Sequence, residues 1–154
     1  MSYAKIQIDV NDAMKPQAEF AKDIEKVWKV ELRQDVRAGK RDLSYIDYMI
    51  ITPKTNKVEG YVELKNRTIK SDLFETLLID QKKMSEIRNK ARNTGLPVYL
   101  AIRYTDKDLV YECNSHHHFP IEHTGRTAKT RHIYDIKEVE YIPIKHFRSL
   151  ANAR

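Results

Sequence analysis

Apolar residues recur along the chain at two different spacings, and the changes of spacing divide it into elements. Phe20, Ile24, Val27, Trp28 and Leu32 repeat at helical intervals. Pro16 suits the first turn of that helix, with Asn11 or Asp12 upstream as caps. The stretch from Arg33 to Leu43 carries Gly39 and many charges, which predicts an exposed connection. Two short apolar runs follow, Tyr45 to Ile51 and Gly60 to Lys65, joined by Pro53-Lys54-Thr55-Asn56-Lys57, and these predict a hairpin. Leu73, Leu77, Met84, Ile87 and Ala91 share one helical stripe, but Asp80 falls on the same stripe, where a carboxylate is costly. Asp80 reads better as the cap of a helix from Gln81 to about Asn93, with 72–79 as a separate turn or kinked lead-in. Gly95 and Pro97 end that helix, and Val98 to Tyr104 and Leu109 to Cys113 read as two further strands. Residues 114–132 are polar, rich in histidine and without periodicity, and predict a surface loop. Val139 to Ile144 predicts a late strand, with Pro143 keeping its end at a sheet edge, and His146 to Ala151 a short closing helix. The order helix, hairpin, helix, strand, strand, loop, strand predicts an α/β fold with a mixed central sheet flanked by helices.

Composition narrows this picture. A length of 154 residues suits one domain with one sizeable core, and 41% apolar with 32% charged residues fits a folded domain rather than a disordered chain. The lone Cys113 excludes an internal disulfide and a cysteine-based zinc cage, so a reducing cytoplasm is the expected compartment. No apolar run reaches the length of a membrane span and the N-terminus lacks a signal-peptide core, so a soluble intracellular protein with no membrane partner is expected. The formal charge is +6 and unevenly spread. Lys82 to Arg92 holds five positive residues against Glu86, and His123 to Arg154 holds seven against three, whereas residues 1–30 balance at five each. Local excesses of this kind suit a polyanion such as nucleic acid, although a solvated surface has the same composition.

The hairpin carries the candidate chemistry. Side chains alternate along a strand, so Glu63 and Lys65 point one way while Val62 and Leu64 point the other, into the core. If Thr52 pairs with Val58 at the turn, the same register sets Asp47 across from Glu63, and a slip of one residue would put them on opposite faces. Two facing carboxylates repel one another, so the pairing calls for a positive charge between them, and a divalent cation with oxygen ligands is the natural one.

Asp47, then Val62-Glu63-Leu64-Lys65 flanked by apolar residues, after one helix and before another, resembles the PD-(D/E)xK nuclease superfamily, which includes Holliday junction resolvases and restriction endonucleases. The resemblance covers about residues 16–113, leaving 114–154 as a basic, His-rich loop with a closing strand and helix. It implies a restriction endonuclease-like core in a single domain. Asp47 and Glu63 are then metal ligands for Mg²⁺, with Mn²⁺ as a substitute, and Lys65 is the catalytic lysine that helps position or activate the attacking water. Ile46 stands where the family name has proline, a loosely kept position. The chemistry agrees, because phosphodiester hydrolysis needs a nucleophilic water and relief of charge on the phosphate. The implied activity is DNA endonuclease, acting on DNA structure, nicks or ends, or as a homodimer on duplex DNA. An exonuclease with the same site and a non-catalytic nucleic-acid-binding module are the alternatives.

Family members often add a glutamate from the first helix, and this chain offers Glu19, Glu25 and Glu31. Glu25 lies beside the apolar stripe and is the best placed sterically, although each of the three reads better as a solvated charge than as a ligand. Gln81 and Lys83 stand where related nucleases carry a glutamine or lysine that reaches the site. Lys82, Arg88, Lys90 and Arg92 could follow a nucleic-acid backbone or form a solvated helix face, and Arg67, just past the ExK strand, is better placed to hold a phosphate. His116, His117, His118 and His123 invite a zinc reading, but adjacent histidines rarely converge on one ion, and loop contacts to nucleic acid that include Arg126, Lys129 and Arg131 are the simpler use. Tyr45, Tyr48, Tyr61, Tyr99, Tyr104 and Tyr111 read mainly as packing, with one or two available to stack on an unpaired base.

Overall fold

Strand pairing sets the frame in the computed structural model, which describes residues 2–34, 46–124 and 137–154, with side chains for 15–34, 46–123 and 138–154. Helix α1 spans Ser2–Trp28 and leads into β1 (Glu31–Arg33), β2 (Tyr48–Thr52) and β3 (Lys57–Asn66). Then come β4 (Thr76–Asp80), α2 (Gln81–Thr94), β5 (Val98–Arg103), β6 (Asp108–Glu112), β7 (Ile121–Thr124), β8 (Lys137–Pro143) and β9 (Arg148–Ser149). Six strands form one mixed sheet in the order β1-β2-β3-β5-β6-β9, and β4-β8-β7 form a second, smaller one. Within the large sheet β3 and β5 run parallel, as a connection through α2 requires, and the other pairs are antiparallel.

The expected elements are present, with five differences. Pro16 lies inside α1 rather than at its first turn. The upstream residues hold neither glycine nor another proline, and the helix runs through Pro16 although its ring removes one N–H from the ladder and crowds the carbonyl four residues earlier. Residues 76–80, expected as a turn or kinked lead-in, form β4, whose alternating burial is that of a strand with one covered face. The expected loop 114–132 contains β7. β8 is the middle strand of the small sheet, so Pro143 is not at an edge. It ends the strand opposite Thr76, and the next amide, Ile144, donates to Glu75 O. The closing segment is two single 3-10 turns around β9 rather than one helix. Helix α2 begins as expected, because the Asp80 carboxylate accepts from Lys82 N at 2.9 Å and so satisfies an amide that the helix cannot. It stops at Gly95, which adopts the left-handed φ of 69° that a side chain disfavours.

Both faces of the large sheet are covered. On one, α1 packs Phe20 and Ile24 against Val62, Leu64, Tyr99 and Ala101. On the other, Met84 and Ile87 of α2 and Leu77 and Ile142 of the small sheet pack against Val98, Leu100 and Ile102. Glu63 and Lys65 pair with Leu100 and Ile102 of β5, so they share this second face. The chemistry-bearing residues therefore sit in a second apolar layer and not on an open surface, which raises the cost of every unpaired charge there. No helix among the described residues is long and apolar enough to cross a membrane.

Candidate active site

The site depends on an irregularity in the hairpin. At the turn Thr52 pairs with Lys57 and Ile51 with Val58, one residue away from the expected register. Continued without change, that pairing would carry Asp47 opposite Val62 and aim it at the α1 side of the sheet. A bulge at Glu59 shifts the register between Ile50 and Ile51, so that Ile50 pairs with Gly60 and Tyr48 with Val62. Asp47, next along the chain, then comes beside Glu63. Gly60 permits this, because a Cβ there would lie 2.7 Å from Pro97 O, where β5 begins its pairing with β3.

Asp47 and Glu63 are each held by an amide from the opposite arm of the hairpin. Asp47 N donates to Glu63 Oε1 at 3.2 Å, and Leu64 N donates to Asp47 Oδ2 at 2.9 Å. The Gln17 side chain of α1 also hydrogen-bonds the Asp47 carboxylate. From α2, Lys83 brings its Nζ to 3.7 Å from Glu63 Oε2 and 3.1 Å from Glu86. Lys65, two residues beyond Glu63 on the same strand, adds its charge to both acids. Burial and, next, the neighbouring Asp47 push Glu63 up to about 7, with Lys83 and Lys65 pulling the other way. Burial likewise raises Asp47, against the Leu64 amide and the same two lysines. Burial pulls the Lys83 ammonium down, but Glu63 and Glu86 together outweigh it and its net shift is upward. The cluster is short of positive charge where its two central acids meet.

That shortage matches an oxygen-ligated dication. The donors are two hard carboxylates that repel each other, and Mg²⁺ is commonly held by one or two protein carboxylates with water and phosphate completing its shell. No thiolate or imidazole adjoins them, and no group of three or more His, Cys, Asp or Glu among the described residues could converge on an ion, so a closed zinc-type cage is not built there. Cys113, half-buried with its thiol pushed by burial to about 11, is no nucleophile.

The structure thus brings Asp47, Glu63, Lys65 and Lys83 together. Gln81 donates to Ser85 Oγ at 2.8 Å within its own helix, and Arg67 lies at the end of β3 with its guanidinium on Asn66 O at 3.2 Å. Arg88 is a correction to the expected nucleic-acid contact. It is only 2% exposed, its two terminal nitrogens grip Glu140, and Nε donates to His117 O at 3.1 Å. It lies on the buried stripe between Met84 and Ala91, so it faces the core. Glu25 also has another use, accepting from Leu32 N at 2.9 Å where α1 hands over to β1, while Glu31 pairs with Arg33 and Glu19 is exposed. His117 packs against Phe119 and His146, while His116, His118 and His123 are exposed. Of the tyrosines, Tyr48, Tyr99, Tyr104 and Tyr111 are buried and Tyr61 lies under Lys90. Tyr45, Arg126, Lys129 and Arg131 lie outside the described residues. Sequence reasoning missed Gln17 and Glu86. The signal for Gln17 was its position one turn before Phe20, Ala21 and Ile24, a polar residue on a buried stripe.

Comparison with known proteins bears on the fold and the family. The family described as "Phage putative PDDEXK endonuclease" matches residues 9–150 of this chain. Among solved structures, that of Hjc from Archaeoglobus fulgidus, a Holliday junction resolvase from an archaeal hyperthermophile, superposes with a TM-score of 0.50 at 13% identity, covering 86% of this chain and 94% of that one. At that identity the likeness speaks for the fold alone: a mixed sheet with a helix on either face. A comparison with curated proteins returns no match.

Proposed function

This chain belongs to that phage PDDEXK endonuclease family, and from this membership we propose that it is a Mg²⁺-dependent DNA endonuclease, with Asp47 and Glu63 as the ion's ligands and Lys65 as the catalytic lysine. The observation that carries the reading is the bulge-set approach of buried Glu63 and half-buried Asp47, two carboxylates that no nearby cation fully compensates. A divalent ion bound there supplies Lewis-acid polarisation of the phosphate and lowers the pKa of water. The chain's own residues do the rest. The reciprocal amide bonds fix both carboxylates before any ligand arrives, so no reorganisation is needed at the moment of reaction. Lys65 offers N–H donors to a water or phosphate oxygen on the open side of the pair, orienting the nucleophile and offsetting charge on the phosphate. Lys83 partly offsets the charge of Glu63 and is itself kept in place by its pairing with Glu86.

DNA is the proposed substrate, because the basic residues Arg67, Lys82, Lys90 and Arg92 are all at least partly exposed beside this fold's site-bearing elements. Action on DNA structure or nicks, or on duplex DNA as a homodimer, is the form of the activity proposed. The single cysteine is compatible with a reducing cytoplasm. The test is incubation of purified protein with supercoiled plasmid in Mg²⁺, Mn²⁺ or EDTA. Nicking or linearisation with either metal and none in EDTA is expected, and Lys65→Ala should slow it by about 10²–10⁴-fold without unfolding the protein. Cleavage of linear but never of closed circular DNA would select the exonuclease reading. Unchanged cleavage by Lys65→Ala would overturn the site.

A further inference from the structure

Two residues beyond Lys65, about 7 Å along the strand, Arg67 falls on the same face as Glu63 and Lys65. The strand geometry persists that far, since Arg67 N still donates to Arg103 O at 2.8 Å. Arg67 lines a cavity of about 220 Å³ together with Ile69, Phe74, Leu78, Tyr104 and Lys70. Three large apolar side chains here are left in water: Phe74 is 60% exposed, Leu73 57% and Leu78 42%. Such a patch in so charged a protein calls for a partner.

The exposure of Phe74 is not the slack of a loose loop. Ser71, 3% exposed, anchors the segment from below by donating through its N and Oγ to the two carboxylate oxygens of Asp106, each at 2.8 Å. Thr105 N donates to Ile69 O at 3.1 Å, and Leu73 N closes a turn on Lys70 O at 3.2 Å. The segment is pinned to the β5–β6 turn, so a ligand stacking on Phe74 meets a wall already ordered. The cavity is smaller than the roughly 300–1,000 Å³ of typical small-molecule sites and suits one planar ring. Arg67 and Lys70 supply positive charge at its lining. Asp106 is engaged by Ser71, and the loop's Asp72 and Glu75 are not among the lining residues.

We propose that this cavity receives an unpaired nucleobase of the DNA substrate, stacked on Phe74, with Arg67 and Lys70 holding its flanking phosphates, so that the enzyme acts beside unpaired nucleotides. An aromatic platform next to cations is the chemistry that binds single-stranded nucleic acid, since every base offers a π-face to it. The proposal rests on the nuclease reading, because the neighbouring site is what places the strand.

The test measures binding in EDTA, where no cleavage intervenes. Full-length protein is titrated into a fully paired hairpin DNA and into the same hairpin carrying a short single-stranded arm with 2-aminopurine at the junction. The wild type should prefer the armed DNA by roughly 5- to 150-fold, with a change in 2-aminopurine emission on stacking. Phe74→Ala should reduce that preference to within about twofold and leave binding of the paired hairpin unchanged, whereas Phe74→Trp should keep it. No preference in the wild type, or equal weakening of both DNAs by Phe74→Ala, would overturn the proposal. So would an unchanged preference accompanied by a shift from dimer to monomer in sedimentation, which would assign the patch to a second copy of the chain. A wild type that shows no preference yet cleaves plasmid defeats only this pocket. A Phe74-dependent preference in a protein that never cleaves defeats the nuclease reading instead.

Discussion

Glu63 and Glu140 are both drawn almost wholly out of water, at 5% and 0% exposure, yet their surroundings are opposite. Glu140 receives the two terminal nitrogens of Arg88 and, at 3.5 Å, the amide of Phe119, while Arg88 Nε donates to His117 O. Every charge there is answered, and the pair ties α2 to β8. Glu63 receives one amide at 3.2 Å and an ammonium at 3.7 Å that also serves Glu86, and it has a second carboxylate beside it. Burial alone therefore does not mark a functional acid. What separates the two is whether the fold supplies the counter-charge or leaves it to be brought in.

The contrast yields graded tests. Removing half of the completed pair should cost most: Glu140→Ala should lower unfolding free energy by about 3–5 kcal/mol, because it strands the Arg88 guanidinium in the core. Replacing both, Arg88→Met with Glu140→Leu, should recover most of that loss in a denaturant titration. If the double variant is as unstable as the single one, packing rather than charge explains the region. At Gly60 a smaller change is expected. Gly60→Ala should cost about 1–3 kcal/mol by pressing a methyl group on Pro97 O, and should lower cleavage further than that loss of stability accounts for, since it strains the bulge that aligns Asp47. Cleavage that merely tracks the folded fraction would show that the bulge does not position the acid.

Much of this was legible in the sequence, for reasons that differ by residue. Glu63 and Lys65 followed from strand alternation, and the Asp80 cap from a carboxylate on an apolar stripe, both local rules. The pairing of Asp47 with Glu63 was expected from a simple turn register, and the structure reaches it by another route, a tighter turn corrected by a bulge at Glu59. The signal for that bulge was Gly60, a glycine inside a strand. Arg88 was misplaced because charge density was weighed above helical phase: it lies one turn beyond Met84, on the buried side. Strand β4 was missed because its pairing with β8 joins segments about 60 residues apart, which no local pattern encodes, and β7 because its polar sequence shows no alternation. The role of Gln17 depends on where α1 crosses the hairpin, a tertiary fact.

The most direct measurement is thermal unfolding of the wild type and Glu63→Gln between pH 4.5 and 8.5, with and without Mn²⁺. Folding raises Glu63 from an ordinary 4.5 to about 7, so the folded state holds an extra proton between those values. Across that range stability should fall as pH rises through 7 and then level, and the raised Asp47 acts in the same direction. Without metal at pH 8, Glu63→Gln should therefore be the more stable protein, by about 1–3 kcal/mol. Mn²⁺ should raise the unfolding temperature of the wild type at that pH and leave the variant where it is. An equal metal shift in both proteins, or a wild type that gains stability as pH rises through 7, would contradict the claim that these two acids await a cation.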